Sequence, residues 1–386
     1  MAATPVRVAI IGGGIIGCLS AWRLKQLGMQ PVIVERGQLG RESSWAGAGI
    51  LCPIQPWLYP DDFTRLVDAS LAMFPGLQQE LSVLTGISPE WLQSGLMIPF
   101  FPDDAVDHRQ AALDWSQRFG WQVRELDAVQ ARHHEPLLAG DTSGALVWPE
   151  VAQVRNPRLL AAVHAVLEKE QVEIIEQAEV SGLIDAAGRV AGVELADGRA
   201  IHADAVLLAA GSWSGGFAES IGISLPVKPV KGQIVLLKGE PGALTHIVKH
   251  DRAYFVPRAD GRILVGASME MVGFRTGNTV AEVQAMLNAL TRLLPGLADT
   301  SIEQQWMGFR PGSPDGLPFI GPVHECPGLW VASGHYRNGV ALAPITAHII
   351  SRWMAGTPPE LDMSRFLPGR TVLDSAKIGF PAQAAA

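Results

Sequence analysis

The stretch Val8–Leu24, VAIIGGGIIGCLSAWRL, is preceded by only seven residues and decides the fold. Its apolar, glycine-punctuated pattern fits three kinds of segment: a signal peptide or membrane anchor, an ordinary buried strand and helix, or a phosphate-binding loop. The apolar run covers thirteen residues and ends at Ser20, before Arg23 and Lys25, whereas a membrane-spanning helix needs about 20 apolar residues. Three adjacent glycines disfavour a helix interior, at about 1 kcal/mol each relative to alanine, and favour a turn.

The same stretch matches a phosphate-binding turn between a strand and a helix. VRVAII is typical of a buried parallel strand, Gly12-x-Gly14-x-x-Gly17 follows at once, and a helical pattern continues to Gly28. In such a loop the first glycine makes the tight turn, the second lets the backbone approach a pyrophosphate, and the third permits close helix packing. The next strand, QPVIVE, ends at Glu35, whose carboxylate suits the hydroxyls of a ribose. Strand, helix, strand and acid in this order predict a dinucleotide site.

Composition narrows the class of protein further. The chain of 386 residues has room for two domains, and its net charge of −8 argues against a nucleic-acid partner. Its three cysteines, Cys18, Cys52 and Cys326, are odd in number and far apart, which predicts reduced thiols in a cytoplasmic protein. We expect no metal site and no stable membrane insertion. His133-His134-Glu135 is interpreted as a solvated connector, because neighbouring helical residues point apart.

Glycine-rich strand ends recur at three separated places, at Gly12–Gly17, Gly211 and Gly334. This spacing predicts one cofactor domain assembled from separate segments, with a substrate domain inserted between them. Two Asp-Gly turns, in LADGRAI (195–201) and RADGRIL (258–264), predict β-hairpins. Residues 61–136 are expected to be helical and connecting.

Several long motifs, in order along nearly the whole chain, resemble one family. The sequence is similar to the D-amino-acid oxidase superfamily of FAD enzymes, and within it to the glycine oxidases. Besides the glycine loop with Glu35, the matching motifs are ESSWAGAGIL (42–51), LLAAGSWSG (207–215), PVKGQIV (229–235), YFVPRADGRILVGASM (254–269), WMGFRPGSPDGLPFIG (306–321) and ASGHYRNGVALAP (332–344).

The resemblance implies a fold and its domain boundaries. We expect an α/β protein with a Rossmann-like FAD-binding domain and an inserted α+β substrate domain built on a mainly antiparallel sheet. The FAD-binding domain is predicted to be discontinuous, over residues 1–85, 150–225 and 310–372. The substrate domain is predicted over 86–149 and 226–309, with a C-terminal tail at 373–386.

The resemblance also implies the cofactor contacts, with FAD bound non-covalently. Together with the glycine loop, the predicted cofactor-binding residues are Gly12, Gly14, Ile15, Ile16, Gly17, Glu35, Arg36, Ser43, Ser44, Ala48, Gly49, Ile50, Val180, Gly211, His335, Tyr336, Arg337, Asn338, Gly339, Val340 and Ala341. The helix that begins at Asn338-Gly339 is expected to direct its positive end toward the flavin.

Five residues are predicted to bind and orient the substrate: Arg310, Tyr254, Arg337, Met269 and Ile50. Arg310 offers a planar fork for a carboxylate, and Tyr254 a hydroxyl for the same group. Met269 is expected to be an apolar wall. Ile50 stands where glycine oxidases often have Met, and Arg252, also expected near the pocket, where a His can occur.

The activity implied by the resemblance is oxidative deamination of glycine, sarcosine or small D-amino acids. Hydride transfer from Cα to flavin N5 needs no protein base once the amine is neutral, and the flavin carries the difficult chemistry. The products are a 2-oxo acid (glyoxylate from glycine), ammonia and hydrogen peroxide, with molecular oxygen as acceptor. The resemblance further implies a homotetramer and a role in supplying the glycine imine for thiamine thiazole synthesis.

Other functions stay open at this stage. One is a D-amino-acid dehydrogenase that passes electrons to a membrane quinone, and another is a flavin-binding subunit without catalysis. An NAD enzyme is compatible with the glycine loop alone, but the loop after Glu35 and the motif GHYRNG (334–339) favour a flavin enzyme. Lys231, in PVKGQIV, is expected at the surface, the alternative being a role in oxygen activation.

Overall fold

The computed structural model describes residues 5–53, 55–104 and 108–372, so the predicted tail at 373–386 lies outside the described residues. The strands are β1 Arg7–Ile11, β2 Gln30–Val34, β3 Ile50–Leu51, β4 Leu96–Phe100, β5 Arg124–Asp127, β6 Gly144–Trp148, β7 Ala152–Gln153, β8 Glu173–Ile175, β9 Val180–Ala186, β10 Arg189–Leu195, β11 Ala200–His202, β12 Ala205–Leu208, β13 Lys228–Lys238, β14 Ile247–His250, β15 Ala253–Pro257, β16 Arg262–Gly266, β17 Ser301–Gly312, β18 Phe319–Pro322 and β19 Leu329–Ser333.

Helices connect and cover these strands. The α-helices are α1 Ile15–Gln26, α2 Ser43–Ala46, α3 Asp61–Leu71, α4 Phe74–Thr85, α5 Arg109–Phe119, α6 Ala128–His134, α7 Asn156–Lys169, α8 Ser214–Ser220, α9 Val280–Leu293 and α10 Gly339–Met354. Short 3₁₀ turns lie at Pro56–Leu58, Gly211–Trp213 and Pro295–Leu297.

The first sheet has six strands in the order β18-β19-β12-β1-β2-β8. Its strands are parallel except for β18, which pairs antiparallel with β19. Along β1, Val8 and Ile10 pack in the cluster that contains α1, α7 and α10, whereas Ala9 and Ile11 pack in a cluster on the opposite face. Burial on both faces explains why this strand is a continuous apolar run.

The second sheet has eight strands in the order β17-β13-β16-β15-β14-β4-β6-β5. It is antiparallel except between β14 and β4. Along β15, Phe255 packs in the cluster that includes Met286 and Leu290 of α9, and Tyr254 packs in the cluster on the other face. The alternation of side chains along a strand therefore directs Tyr254 away from α9.

This architecture confirms the predicted α/β class with a parallel sheet and a mainly antiparallel one. Both Asp-Gly turns join antiparallel strands, β10 to β11 and β15 to β16, as predicted. The strands of the second sheet fall within residues 96–148 and 228–312. The domain boundaries themselves stay a prediction.

The expectation that residues 61–136 are helical is only partly correct. Helices α3 to α6 lie in this range, but β4 and β5 also lie there and belong to the second sheet. Pro99 sits in β4, which is an interior strand between β14 and β6. Because proline is rarely found in an interior strand, the motif LMIPF gives a weak strand signal.

The turn between β1 and α1 depends on two glycines. Gly12 has φ +109°, and a Cβ there would lie 2.6 Å from the carbonyl oxygen of Ala209 at the end of β12. A Cβ on Gly17 would lie 2.0 Å from the carbonyl oxygen of Gly12. Helix α1 can therefore approach the end of β1 only if residue 17 has no side chain, as the sequence predicts.

We expect Gly17→Ala to lower the free energy of unfolding by about 1–3 kcal/mol, because the added methyl forces the helix away from the strand. Gly76→Ala is the matched control, since Gly76 also lies in a helix but its Cβ would have no heavy atom within 4 Å. The control should be neutral or stabilising by up to about 1 kcal/mol. Thermal melting followed by circular dichroism compares the two, and equal melting temperatures would contradict this account of the turn.

Candidate active site

The carboxyl edge of the first sheet forms one end of the site. Glu35 follows β2, and its Oε2 accepts a hydrogen bond from the Gly13 N–H at 2.7 Å, while Oε1 accepts one from the Gly37 N–H at 2.8 Å. Helix α1 begins beside this carboxylate, with Gly14 as its N-cap and no acidic residue in its first turn. Free N–H groups and the helix dipole favour an anion here. This end therefore offers a carboxylate acceptor next to an anion site.

A cavity of about 570 Å³ extends from this edge to the face of the second sheet that carries Tyr254. The predicted residues that line it are Gly12, Gly14, Ile15, Ile16, Glu35, Arg36, Ser43, Ser44, Ala48, Gly49, Ile50, Val180, Gly211, Tyr254, Arg310, His335, Tyr336, Arg337, Gly339 and Val340. The fold thus gathers residues that lie more than 300 positions apart in the sequence.

Four of the predicted site residues are not among those that line the cavity. Gly17 lies beneath the loop, against Gly12. Asn338 and Ala341 are buried in the first turn of α10 and its cap. The sulfur of Met269 accepts a hydrogen bond from the Tyr336 hydroxyl at 2.7 Å, so Met269 contacts a wall residue and does not form the wall itself.

Two glycines make room for the polar groups at the second end of the cavity. A Cβ on Gly266, which pairs with Tyr254 across β15 and β16, would lie 2.6 Å from the Tyr254 hydroxyl oxygen. A Cβ on Gly232 would lie 2.2 Å from Nη1 of Arg310. The guanidinium and the phenol therefore lie flat against bare backbone. No sequence motif predicts that these two glycines make room for Arg310 and Tyr254.

Arg310 is held by backbone carbonyls. Its Nη1 donates to the carbonyl oxygen of Ser268 at 2.9 Å and, more weakly, to that of Lys231 at 3.5 Å. Within the described part of the chain no carboxylate lies within 4.0 Å of this guanidinium. Burial raises the pKa of Tyr254 although Arg310 opposes the shift, so the phenol keeps its proton and can donate it in a hydrogen bond. The pair suits an incoming carboxylate.

Arg337 lines the cavity next to the start of α10. Its Nη2 donates to the Tyr59 hydroxyl at 3.3 Å, and Tyr59 stacks on Phe63 of α3 with ring centroids 4.3 Å apart. Sequence reasoning missed Tyr59, because it follows a short turn far from any recognised motif. Tertiary packing alone brings it to Arg337.

Two titratable groups on the cavity wall are unreactive. Burial lowers the pKa of His335 to about 3, and its Nε2 lies 3.0 Å from the Thr346 hydroxyl, so the imidazole is neutral. Burial also raises the pKa of Cys52, whose thiol donates to the carbonyl oxygen of Pro53 at 3.3 Å. A protonated, buried thiol is a poor nucleophile.

The loop that carries Ser43 to Ile50 is held in place by a buried arginine. Arg258, at the end of β15, donates to the carbonyl oxygens of Ala48 at 2.7 Å and Val154 at 3.0 Å, and to Oε1 of Gln153 at 2.6 Å. Asn156 Nδ2 donates to the carbonyl oxygen of Ser44 at 2.8 Å. Both side chains connect this loop to distant strands, and sequence reasoning assigned neither of them this function.

Three minor expectations from the sequence are wrong. Lys231 is fully buried and forms an ion pair with Glu270, so it is not a surface lysine. Glu135 is also fully buried and accepts hydrogen bonds from Thr245 and His246, so of the predicted solvated connector only His133 and His134 are exposed. Arg252 is exposed and does not line the cavity. In each case a tertiary neighbour, or its absence, decides the burial of a charged residue.

Two residues that line the cavity lie within the matching motifs but are not among the predicted site residues. Trp213 lies in LLAAGSWSG, and the Arg36 guanidinium stacks over its ring at 3.7 Å. Ile234 lies in PVKGQIV and adds an apolar surface near Ile50 in the same cavity. Their motifs were a usable signal, although only the structure shows which residue of each motif faces inward.

The residues present fit a dinucleotide that carries a ring system. Glu35 can accept bonds from ribose hydroxyls, and the start of α1 suits a pyrophosphate. A Cβ on Gly49 would lie 2.0 Å from the carbonyl oxygen of Val154, so the loop after α2 must approach its neighbour as bare backbone. Between these parts the cavity has a largely apolar wall that can take a flat ring.

Comparison with known proteins agrees with this geometry. Residues 7–353 match the family model described as FAD dependent oxidoreductase, and the chain belongs to this family. It is 39% identical to a glycine oxidase of Pseudomonas aeruginosa over 363 residues. This aligned region covers 94% of this chain and 98% of that protein.

Two other relatives bear on the function. A bifunctional protein ThiO/ThiG of Synechocystis sp. is 36% identical over 351 residues, which span 89% of this chain and 51% of that protein. The crystal structure of glycine oxidase from Geobacillus kaustophilus superimposes with a TM-score of 0.88 at 29% identity, covering 95% of this chain and all of that one.

The described residues contain neither a membrane-spanning helix nor a cluster of metal ligands. Within 5–53, 55–104 and 108–372, no helix has the length and apolar character needed to cross a membrane. The same ranges contain no group of three or more His, Cys, Asp or Glu side chains placed to hold a metal ion.

We expect Glu35→Ala to weaken FAD binding by about 10- to 100-fold, because hydrogen bonds to a charged group contribute about 1.5–3 kcal/mol. The substrate KM, measured at saturating FAD, should be nearly unchanged. Glu173→Ala is the control. Glu173 begins β8, next to β2 in the same sheet, and so lies at the amino ends of the strands, whereas Glu35 follows the carboxyl end of β2. Fluorescence titration of the apoprotein measures the FAD dissociation constant, and an unaltered constant would show that the first loop does not bind the adenosine.

We expect the flavin to be held non-covalently. Cys52 is the one cysteine among the described residues that line the cavity, and its thiol is protonated. Precipitation with acid should therefore release the yellow colour into the supernatant, both from the wild type and from Cys52→Ser. Colour that remains in the pellet of the wild type but not of the variant would identify Cys52 as an attachment site.

Proposed function

On the premise that this chain is an FAD-dependent oxidoreductase, we propose that it oxidatively deaminates glycine and other small amino acids and amines, including sarcosine and small D-amino acids. One observation carries the proposal. The Arg310 guanidinium, which has no carboxylate partner in the described residues, faces the cavity beside the protonated Tyr254. The similarity to glycine oxidases of Pseudomonas aeruginosa and Geobacillus kaustophilus supports the same substrate.

Arg310 and Tyr254 bind the substrate carboxylate. A zwitterion that enters this apolar cavity loses water from its carboxylate, and a fixed cation must replace that water. Nη1 of Arg310 donates to the carbonyl oxygens of Ser268 and Lys231, and the guanidinium also bonds to the Tyr254 hydroxyl, which leaves two of its five N–H groups for a carboxylate. The Tyr254 hydroxyl donates a further hydrogen bond.

The wall around this pair favours a small substrate. Ile50 and Ile234 both line the cavity with Tyr254, and neither offers a hydrogen bond to a polar side chain. Arg337 adds positive charge at the start of α10. We infer that the pocket selects a carboxylate with little or no side chain at Cα.

The protein residues orient the reaction and do not supply a base. His335 is neutral, and its Nε2 faces Thr346, so it does not accept the amine proton. The positive charge of Arg310 and Arg337 disfavours a protonated amine beside them, and the amine therefore loses its proton to solvent. FAD, when bound, takes up the two electrons and the hydrogen that leave the α-carbon.

The overall reaction balances with oxygen as the acceptor. Glycine, O₂ and water give glyoxylate, ammonia and hydrogen peroxide, because water hydrolyses the imine that forms when Cα is oxidised. The positive end of α10, where Gly339 and Val340 line the cavity, suits the negative charge of a reduced flavin. A dehydrogenase that reduces a membrane quinone is the second candidate, and oxygen consumption with and without a soluble quinone separates the two.

We further infer a physiological role and a state of assembly. The imine of glycine would serve thiamine thiazole synthesis, and the similarity to a bifunctional protein ThiO/ThiG supports this role. A homotetramer and a cytoplasmic location remain predictions from the family resemblance. Size-exclusion chromatography with light scattering tests the first.

We expect Arg310→Ala to lower kcat/KM for glycine by about two to four orders of magnitude. Removing one partner of a buried charge pair costs about 3–5 kcal/mol, and each 1.36 kcal/mol is tenfold in rate. Arg310→Lys should recover only part of the loss, because a point charge does not reproduce the planar fork.

Ethylamine, which has no carboxylate, is the control substrate for these variants. It should be oxidised poorly by the wild type and affected little by either substitution. Anaerobic flavin reduction rates for glycine, D-alanine, sarcosine and ethylamine provide the measurement. A similar loss for glycine and ethylamine would mean that Arg310 supports the fold or the flavin and does not bind the substrate carboxylate.

A further inference from the structure

A charge pair between a buried lysine and a partly buried glutamate lies next to the backbone that holds Arg310. The Lys231 side chain is fully buried in β13, and its Nζ lies 3.5 Å from Oε2 of Glu270. Among the described residues this is the one carboxylate within 4.0 Å of the ammonium. A buried ammonium needs a counterion, and this contact provides it.

Glu270 is held by more than its ion pair. Its Oε1 accepts hydrogen bonds from the Ser268 hydroxyl at 2.7 Å and from Nε2 of Gln233 at 2.8 Å. Burial alone would raise the pKa of Glu270, but these two bonds and the charge of Lys231 outweigh it and lower the pKa. Glu270 is therefore an anion whose hydrogen-bond acceptors are engaged by its neighbours.

The same residues form the support of Arg310. The backbones of Lys231 and Glu270 exchange two hydrogen bonds, each of 3.0 Å. Nη1 of Arg310 donates to the carbonyl oxygens of Ser268 and Lys231. Ser268 thus contacts Arg310 through its carbonyl and Glu270 through its hydroxyl. An anion and the cation predicted to bind substrate are separated by a single residue.

This arrangement creates an electrostatic competition. If Glu270 lacked a cation of its own, its charge would attract Arg310 and oppose a second carboxylate arriving at the guanidinium. Lys231 removes the competition, because its buried ammonium neutralises Glu270 from the side away from the cavity. Lys231 does not line the cavity itself.

We propose that Lys231 and Glu270 are positioning residues that fix the support of Arg310 and reserve its positive charge for the substrate carboxylate. The inference rests on the proposed function in one respect, namely that the ligand of Arg310 is a carboxylate. Neither residue contacts substrate or cofactor. A buried pair that only stabilised the fold would have no directional effect on carboxylate affinity.

If Lys231 reserves the charge of Arg310 in this way, the two single substitutions should change the affinity for a carboxylate in different directions. Lys231→Met leaves Glu270 without its cation, so affinity for a carboxylate should fall at least about tenfold. Glu270→Gln keeps an acceptor oxygen for Ser268 and Gln233 but removes the competing charge, so affinity should be unchanged or higher. The double variant, Lys231→Met with Glu270→Gln, should return to within about threefold of the wild type, because Arg310 again has no competitor.

Acetate is the probe, since it has a carboxylate but no amine to oxidise. Each holoenzyme variant is titrated with acetate, and the change in flavin absorbance gives the dissociation constant. Arg262→Met is the matched control: it removes the cation of the exposed pair with Glu303, which lies at 2.7 Å on the same sheet. The control should bind acetate like the wild type. Flavin reduction by ethylamine, measured in parallel, should be nearly the same in all variants.

The outcomes separate this inference from the proposed function. Wild-type affinity in Lys231→Met, a tenfold loss in Glu270→Gln, or no recovery in the double variant would each overturn the positioning role. If Lys231→Met does not fold, the Glu270→Gln and double variants still decide the sign. No acetate-dependent change in the wild type also overturns the inference. If the wild type binds acetate with these signs but does not oxidise glycine, the proposed function fails and the positioning role stands.

Discussion

The close contact between α1 and the end of β1 is the constraint on which the rest of the site depends. A side chain at residue 17 would collide with the carbonyl oxygen of Gly12, and one at residue 12 with the end of β12. With both positions bare, the helix starts at the carboxyl edge of the sheet, where its free N–H groups face the cavity. Glu35 then accepts the Gly13 N–H and closes the loop. The predicted phosphate and ribose contacts therefore both depend on one steric requirement.

Three cations on the second sheet are satisfied in three different ways. Arg258 is satisfied by backbone carbonyls and one amide, and in this way it joins the loop at Ala48 to the second sheet. Lys231 has its own carboxylate, Glu270. Arg310 donates from Nη1 to two backbone carbonyls and also bonds to the Tyr254 hydroxyl, and among the described residues no carboxylate lies within 4.0 Å of it. Unpaired charge in an apolar cavity is costly, so it is found where a ligand supplies the partner.

The two sheets contribute different groups to the cavity. The parallel sheet presents loop ends and the N-terminus of α1 to the cavity, where we predict that backbone groups bind the cofactor. The antiparallel sheet presents side chains across its face to the same cavity, among them Tyr254 and Arg310. Gly232 and Gly266 have no side chains, and this leaves room on the second sheet for Arg310 and Tyr254. Both sheets contribute to one cavity, and we propose that the reaction takes place where they meet.

The amino-acid sequence by itself determined the features that depend on local steric requirements. The strand, turn and helix around Gly12–Gly17, the acid at the end of β2 and both Asp-Gly hairpins follow from short-range patterns, and the long motifs placed most of the cavity wall. Only the tertiary structure decided the burial of Lys231 and Glu135, the exposure of Arg252, the strand at Pro99 and the contact of Tyr59 with Arg337. The physical reason is that the state of a charged or polar residue depends on the partner that the fold brings to it, and that partner lies too far along the chain for any local pattern to reveal it.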